Sequence, residues 1–67
     1  MIELQVNGER RRFDAVADVA RLVETLGLAG KRVAVEVNGE IVPRSRYGAT
    51  ALADGDRLEI VVAVGGG

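Results

Sequence analysis

The chain has 67 residues, with 9 Lys plus Arg against 10 Asp plus Glu and a formal net charge of −1, a balance that excludes the strongly basic class of nucleic-acid binders. Cys and His are both absent, which removes disulfides, thiolate chemistry, the commonest metal ligand and the commonest general base. The hydrophobic share of 48% is too high for disorder, no apolar run approaches the ~18 residues of a membrane span, and Met1-Ile2-Glu3-Leu4 lacks the basic and apolar regions of a signal peptide, so one small, soluble, cytoplasmic domain is expected.

Ile2-Glu3-Leu4-Gln5-Val6 alternates apolar and polar residues, the period of a half-buried strand. Asn7-Gly8 follows, a hairpin turn signal because both residues tolerate positive φ, and Glu9 to Phe13 is expected to return as the second strand. A strict two-residue turn pairs Ile2 with Phe13 but also Leu4 with Arg11. Either Arg11 snorkels at an edge or a bulge shifts the register; the pattern leaves both open. The run Arg10-Arg11-Arg12 reads as a solvated strand face or as a surface for an acidic partner or phosphate.

Asp18 is a suitable N-cap. Val19, Leu22, Val23 and Leu26 then form one apolar helical face, and Gly27 supplies the stop. The helix expected from about Val19 to Leu26 is short enough to need tertiary packing. Val33 to Val37 is the next strand, Asn38-Gly39 repeats the hairpin signal, and Glu40-Ile41-Val42 returns until Pro43, which has no amide to donate. Arg44 to Ala53 is expected to be irregular, with Leu52 turned inward and Tyr47 a partly buried anchor. Asp54-Gly55-Asp56 is a turn; its two carboxylates read either as turn chemistry or as a metal pair. Arg57 to Val64 is the last strand, apolar enough for a central position. Along it Val61 and Ala63 have opposite parity to Leu58, Ile60 and Val62. They are therefore either an apolar docking spot on the open sheet face or simply β-prone residues.

These elements imply an α+β roll: a mixed four- to five-stranded sheet, first and last strands parallel at its centre, with one main helix packed on one face by a right-handed crossover. The expected core is Leu4, Val6, Phe13, Val19, Leu22, Val23, Leu26, Val35, Val37, Leu52, Leu58 and Ile60. The domain is expected over 1–64, with 65–67 a flexible tail. Gly65-Gly66-Gly67 has no side chains to obstruct a narrow channel, as a chain whose own terminal carboxylate is another enzyme's substrate would require; a glycine end is equally what a mobile terminus shows. Phosphate-loop and catalytic acid–base motifs are missing.

With those elements in place, the chain resembles the ThiS family of sulfur carriers in thiamine (thiazole) biosynthesis, within the ubiquitin-like β-grasp superfamily. The resemblance rests on Val6-Asn7-Gly8-Glu9, the helix Asp18 to Leu28, Val35 to Arg44 with Tyr47, and Leu52 to Val61 leading to the glycines. It departs in having Asp18 where Thr is common and three terminal glycines where two suffice. The resemblance implies no catalytic residue, no metal and no bound cofactor. It makes Gly67 the covalent carrier, activated as an acyl-adenylate and converted to a thiocarboxylate, with Gly65 and Gly66 threading the partner's channel and Val61, Ala63 and Val64 as a partner surface. The implied partners are a ThiF-like adenylating enzyme that uses ATP, a sulfur-donor protein and a ThiG-like thiazole synthase, with no nucleic acid and no membrane. Residues 63–67 would reach at most ~16–18 Å. Alternatives are a small subunit of molybdopterin synthase, although the aromatic and Pro-rich approach to its diglycine is missing here, a carrier for another pathway, a protein tag, or a non-covalent β-grasp binding module.

Overall fold

The computed structural model describes residues 1–63. Its elements are β1 (Ile2–Val6), β2 (Glu9–Phe13), α1 (Val19–Thr25), β3 (Val33–Val37), β4 (Glu40–Val42), a 3₁₀ helix (Arg44–Ala49) and β5 (Arg57–Val62). The five strands form one sheet in the order β2-β1-β5-β3-β4, with β1 and β5 parallel and the other neighbours antiparallel. The first and last strands thus meet at the centre, as the apolar content of β5 implies.

Both Asn-Gly turns are two-residue turns with positive φ, 51° and 84° at Asn7 and Gly8, 52° and 86° at Asn38 and Gly39. The first sets the strict register, Ile2 opposite Phe13 and Leu4 opposite Arg11. No bulge is needed because β2 is an edge strand: Arg11 reaches out of the sheet and lays its guanidinium 5.5 Å from the centroid of the Phe13 ring, keeping its charge wet while its stem covers apolar surface. Arg10 and Arg12 flank Glu3, at 3.4 and 3.2 Å. The basic run is therefore a solvated strand face, partly neutralised by its neighbour strand.

Helix α1 is capped at both ends. The Asp18 carboxylate accepts the Arg21 amide at 2.9 Å. At the other end the Gly27 amide donates to Glu24 and the Leu28 amide to Val23, both at 2.9 Å, with Gly27 at φ +74°. This is the paired closure in which a left-handed glycine satisfies the orphan carbonyls. The helix ends at Thr25, and Leu26 is the cap residue rather than the last helical one. Asp18 also bridges to Ala51, and Val19 donates to Thr50, so the loop before β5 closes against the entry to the helix.

The core holds Leu4, Val6, Phe13, Val16, Val19, Leu22, Val23, Val35, Val42, Leu58 and Ile60. Val19 and Leu22 have no exposed surface. Three expected members, Leu26, Val37 and Leu52, are only half-buried and pack on its margin. Val16 and Val42 are additions: Val16 sits in the loop between β2 and α1, where no periodicity marks it, and Val42 lies opposite Val35 in a strand too short to show alternation. The stretch expected to be irregular contains the 3₁₀ helix Arg44–Ala49, entered through Pro43, whose fixed φ suits the start of a helical turn. Its Tyr47 hydroxyl donates to the Val33 carbonyl at 3.2 Å, making Tyr47 the expected half-buried anchor. Among the described residues no helix is long and apolar enough to cross a membrane.

Candidate functional site

The candidate site is the C-terminal end of β5, the strand that precedes the glycines in sequence. From Leu58 to Val62, β5 is paired along its whole length with β3. On its other side it pairs with β1 only at Arg57 and Leu58, because β1 turns away at Asn7. The Ala63 amide still donates to the Arg32 carbonyl, at 2.9 Å, and is the last described anchor of the strand.

Alternation along β5 sends Leu58 and Ile60 into the core and Glu59 and Val61 to the open face. Val61 is 63% exposed and Ala63 is exposed, so these two of the three residues read as a partner surface are accessible. Val62 shares the parity of Ile60 but is 39% exposed. It lies at the end of the strand, beyond the residues that β1 pairs. Val64, Gly65, Gly66 and Gly67, read as partner surface, threading residues and covalent carrier, lie outside the described residues; the strand expected to reach Val64 ends at Val62, before Ala63.

Register assembles more of this face than β5 alone provides. Ala34 on β3 lies opposite Val61, and Ile41 on β4, 76% exposed, lies opposite Glu36, which in turn faces Glu59. The result is an apolar flank of Val61, Ala34 and Ile41 around an acidic pair. The sequence reading missed Ala34 and Ile41; their signal was parity, since each has the opposite phase to a buried neighbour, Val35 and Val42. Beside the strand's end runs a groove of about 580 Å³ whose lining includes Leu28, Val33, Tyr47 and Ala63 with Arg32 and Arg44. Apolar side chains at a strand's exit, framed by charge, suit docking of another protein more than chemistry on a small molecule.

The aspartates of the turn before β5 are already engaged. Asp54 accepts the Glu3 amide at 2.7 Å, and Asp56 accepts the Ala53 amide and the Asn38 side-chain amide at 2.8 and 3.0 Å. Their carboxylates build the turn and dock it on β1 and on the second hairpin, and among the described residues no cluster of three or more His, Cys, Asp or Glu could hold a metal ion. The two turn asparagines also do more than turn, which the dipeptide signal does not reveal: Asn7 bonds Ile60 and Asn38 bonds Arg57, both through their side chains.

Comparison with known proteins gives this geometry a family. The model of the ThiS family matches residues 4–67. The sulfur carrier protein ThiS of Bacillus subtilis is 38% identical over 65 residues, 96% of this chain and 98% of that protein. A thiazole synthase of Paramagnetospirillum magneticum is 50% identical over 66 residues, which are 98% of this chain but 20% of that protein; the chain spans about a fifth of the length of the thiazole synthases it matches. The crystal structure of the thiamine biosynthesis protein ThiS from Geobacter metallireducens superposes with a TM-score of 0.82 at 36% identity, covering 98% of this chain and 100% of that one. The five-stranded mixed sheet with its one α-helix is the β-grasp fold of that neighbour, and the chain belongs to the ThiS family.

Proposed function

We propose that this chain is a sulfur carrier of thiamine biosynthesis whose Gly67 carboxylate is the working group. The observation that carries the reading is the extent of the family match, which runs through the terminal glycines to residue 67. In this scheme a ThiF-like enzyme docks on the exposed end of β5 and admits the tail. A Gly67 carboxylate oxygen attacks the α-phosphorus of ATP, pyrophosphate leaves, and an acyl-adenylate forms. The persulfide sulfur of a donor protein attacks the acyl carbon and AMP leaves; a thiol then attacks the donor-side sulfur of the resulting acyl disulfide, releasing the thiocarboxylate and leaving a disulfide on the donor. The carrier supplies no catalytic side chain and binds no cofactor; ATP belongs to the partner, and a chain without Cys or His is suited to that passive role. A thiazole synthase as the acceptor is supported by the P. magneticum protein of that name, in which a stretch 50% identical to this chain is part of one longer polypeptide.

The test is intact-mass spectrometry of the chain after incubation with a ThiF-like enzyme, ATP and a sulfur source. Replacement of one oxygen by sulfur, localised to Gly67, is the expected result. The absence of both adenylate and thiocarboxylate would sink the reading in favour of a non-covalent module.

Docking makes a separate expectation. Val61 is exposed and contributes little to the core, so Val61→Lys should move the melting temperature by only a few degrees. It should raise the KM for activation by about tenfold, as loss of an apolar contact at the centre of an interface does. Pyrophosphate release against carrier concentration measures it, and an unchanged KM would remove Val61 from the surface.

A further inference from the structure

The parallel ladder between β1 and β5 ends abruptly. Gln5 donates to Asp56 at 3.0 Å and Asn7 to Leu58 at 2.9 Å, and there the main chain of β1 turns away at φ 51°. Ile60 keeps its amide and carbonyl directed to the β1 side: the Asn38 amide donates to Arg57 at 2.7 Å and the Ala63 amide to Arg32 at 2.9 Å, so in the antiparallel register with β3 the hydrogen-bonding positions between them are Glu59 and Val61. In a continuing parallel strand the next peptide units would bond both groups. Here the Asn7 side chain does so: its Oδ1 accepts the Ile60 amide at 2.7 Å and its Nδ2 donates to the Ile60 carbonyl at 3.0 Å. Both bonds are partly buried and join residues 53 apart in the chain. Asn38 makes a related bond at the start of the same strand, accepting the Arg57 amide at 2.9 Å.

The two asparagines are not equivalent with respect to the tail. Asn38 holds the first residue of β5, whereas Asn7 holds Ile60, beyond which the strand is paired on the β3 side alone. We propose that Asn7 is a positioning residue for the carrier's tail, its carboxamide replacing the missing peptide of β1 and fixing the direction in which β5 leaves the sheet. This inference rests on the carrier reading above. The four residues after Ala63 reach at most ~14 Å, so a drift of a few ångström at the exit consumes a large share of the span available to the Gly67 carboxylate. The docking residues are unaffected, so the cost falls on the reaction within the complex rather than on its formation.

Asn7→Gly isolates this role, since glycine keeps the positive-φ turn while removing the carboxamide. Asn38→Gly is the control, removing a bond to the same strand at its far end. With both variants folded by circular dichroism, Asn7→Gly is expected to speed exchange of the Ile60 amide by about tenfold while leaving that of Glu59 unchanged. It should also lower kcat for adenylation by about tenfold at a KM within about twofold of wild type. Asn38→Gly should leave kcat unchanged. An equal fall in kcat for both variants, or an unaltered kcat for Asn7→Gly, overturns the proposal. Should Asn7→Gly lose its fold, Asn7→Asp serves instead, keeping the turn and the acceptor for the Ile60 amide but not the donor to its carbonyl; its readout is kcat against that of Asn38→Gly, and an unaltered kcat overturns the proposal. If the wild-type chain is not adenylated at all, the carrier reading fails, and the role of Asn7 at the strand's end is then decided by Ile60 exchange, an unchanged rate overturning it.

Discussion

Gly66→Ala is expected to lower the rate of adenylation by about a hundredfold, the scale of loss when a reacting group is displaced by about an ångström, with no change in melting temperature. The two halves of that result have separate causes. A terminal carboxylate that must reach the α-phosphorus of ATP inside a partner needs its last peptide units to pass close to the channel walls. A Cβ at the penultimate position adds a methyl group where only backbone fits. Folding is indifferent because β5 ends at Val62 and the core is complete at Ile60. Gly65→Ala is the graded comparison, expected to cost less because three glycines stand where two suffice. Single-turnover adenylation with the partner enzyme in excess measures both, and equal rates for Gly66→Ala and wild type would end the narrow-channel account.

Leu22→Ala is expected to cost ~2–5 kcal/mol. Leu22 has no exposed surface and is among the largest fully buried side chains, in a core built around one short helix. A domain of this size has a total stability of roughly 3–10 kcal/mol, so one truncation removes a large part of it. The melting temperature should fall by about 10–30 °C. Leu26→Ala, at the half-buried cap of the same helix, should cost distinctly less. Thermal denaturation followed at 222 nm, the usual helix wavelength, separates the two; similar melting temperatures for Leu22→Ala and wild type would mean that α1 does not anchor the core.

Much of the fold is local enough to be legible in the residues. Asn7-Gly8 and Asn38-Gly39 mark both hairpins because few pairs of residues accept consecutive positive φ. Asp18 and Gly27 bracket the helix because their chemistry satisfies orphan amides and carbonyls, and the spacing of Val19, Leu22 and Val23 selects its buried face. The opposition of Val61 to Ile60 is a matter of period alone. Less legible is anything that depends on which strand ends first. Arg11 opposite Leu4 looked like a conflict until β2 proved to be an edge, and Val62 shares the parity of Leu58 and Ile60 yet is 39% exposed at the end of β5, where β1 no longer pairs.

For the candidate site the division is the same. Residue pattern by itself determined that an α+β roll with a capped helix carries an apolar strand toward a glycine tail, and that Val61 and Ala63 share the parity opposite to Leu58 and Ile60. Those properties reside in backbone preference and in alternation over a few neighbours. Only the tertiary structure decided that Ala34 and Ile41 join Val61 on the open face, that Asp54 and Asp56 are occupied by amides, and that Asn7 bonds a residue 53 positions away. Such pairings follow from strand order and register, which are set by the burial of the whole apolar set at once rather than by any local run of sequence.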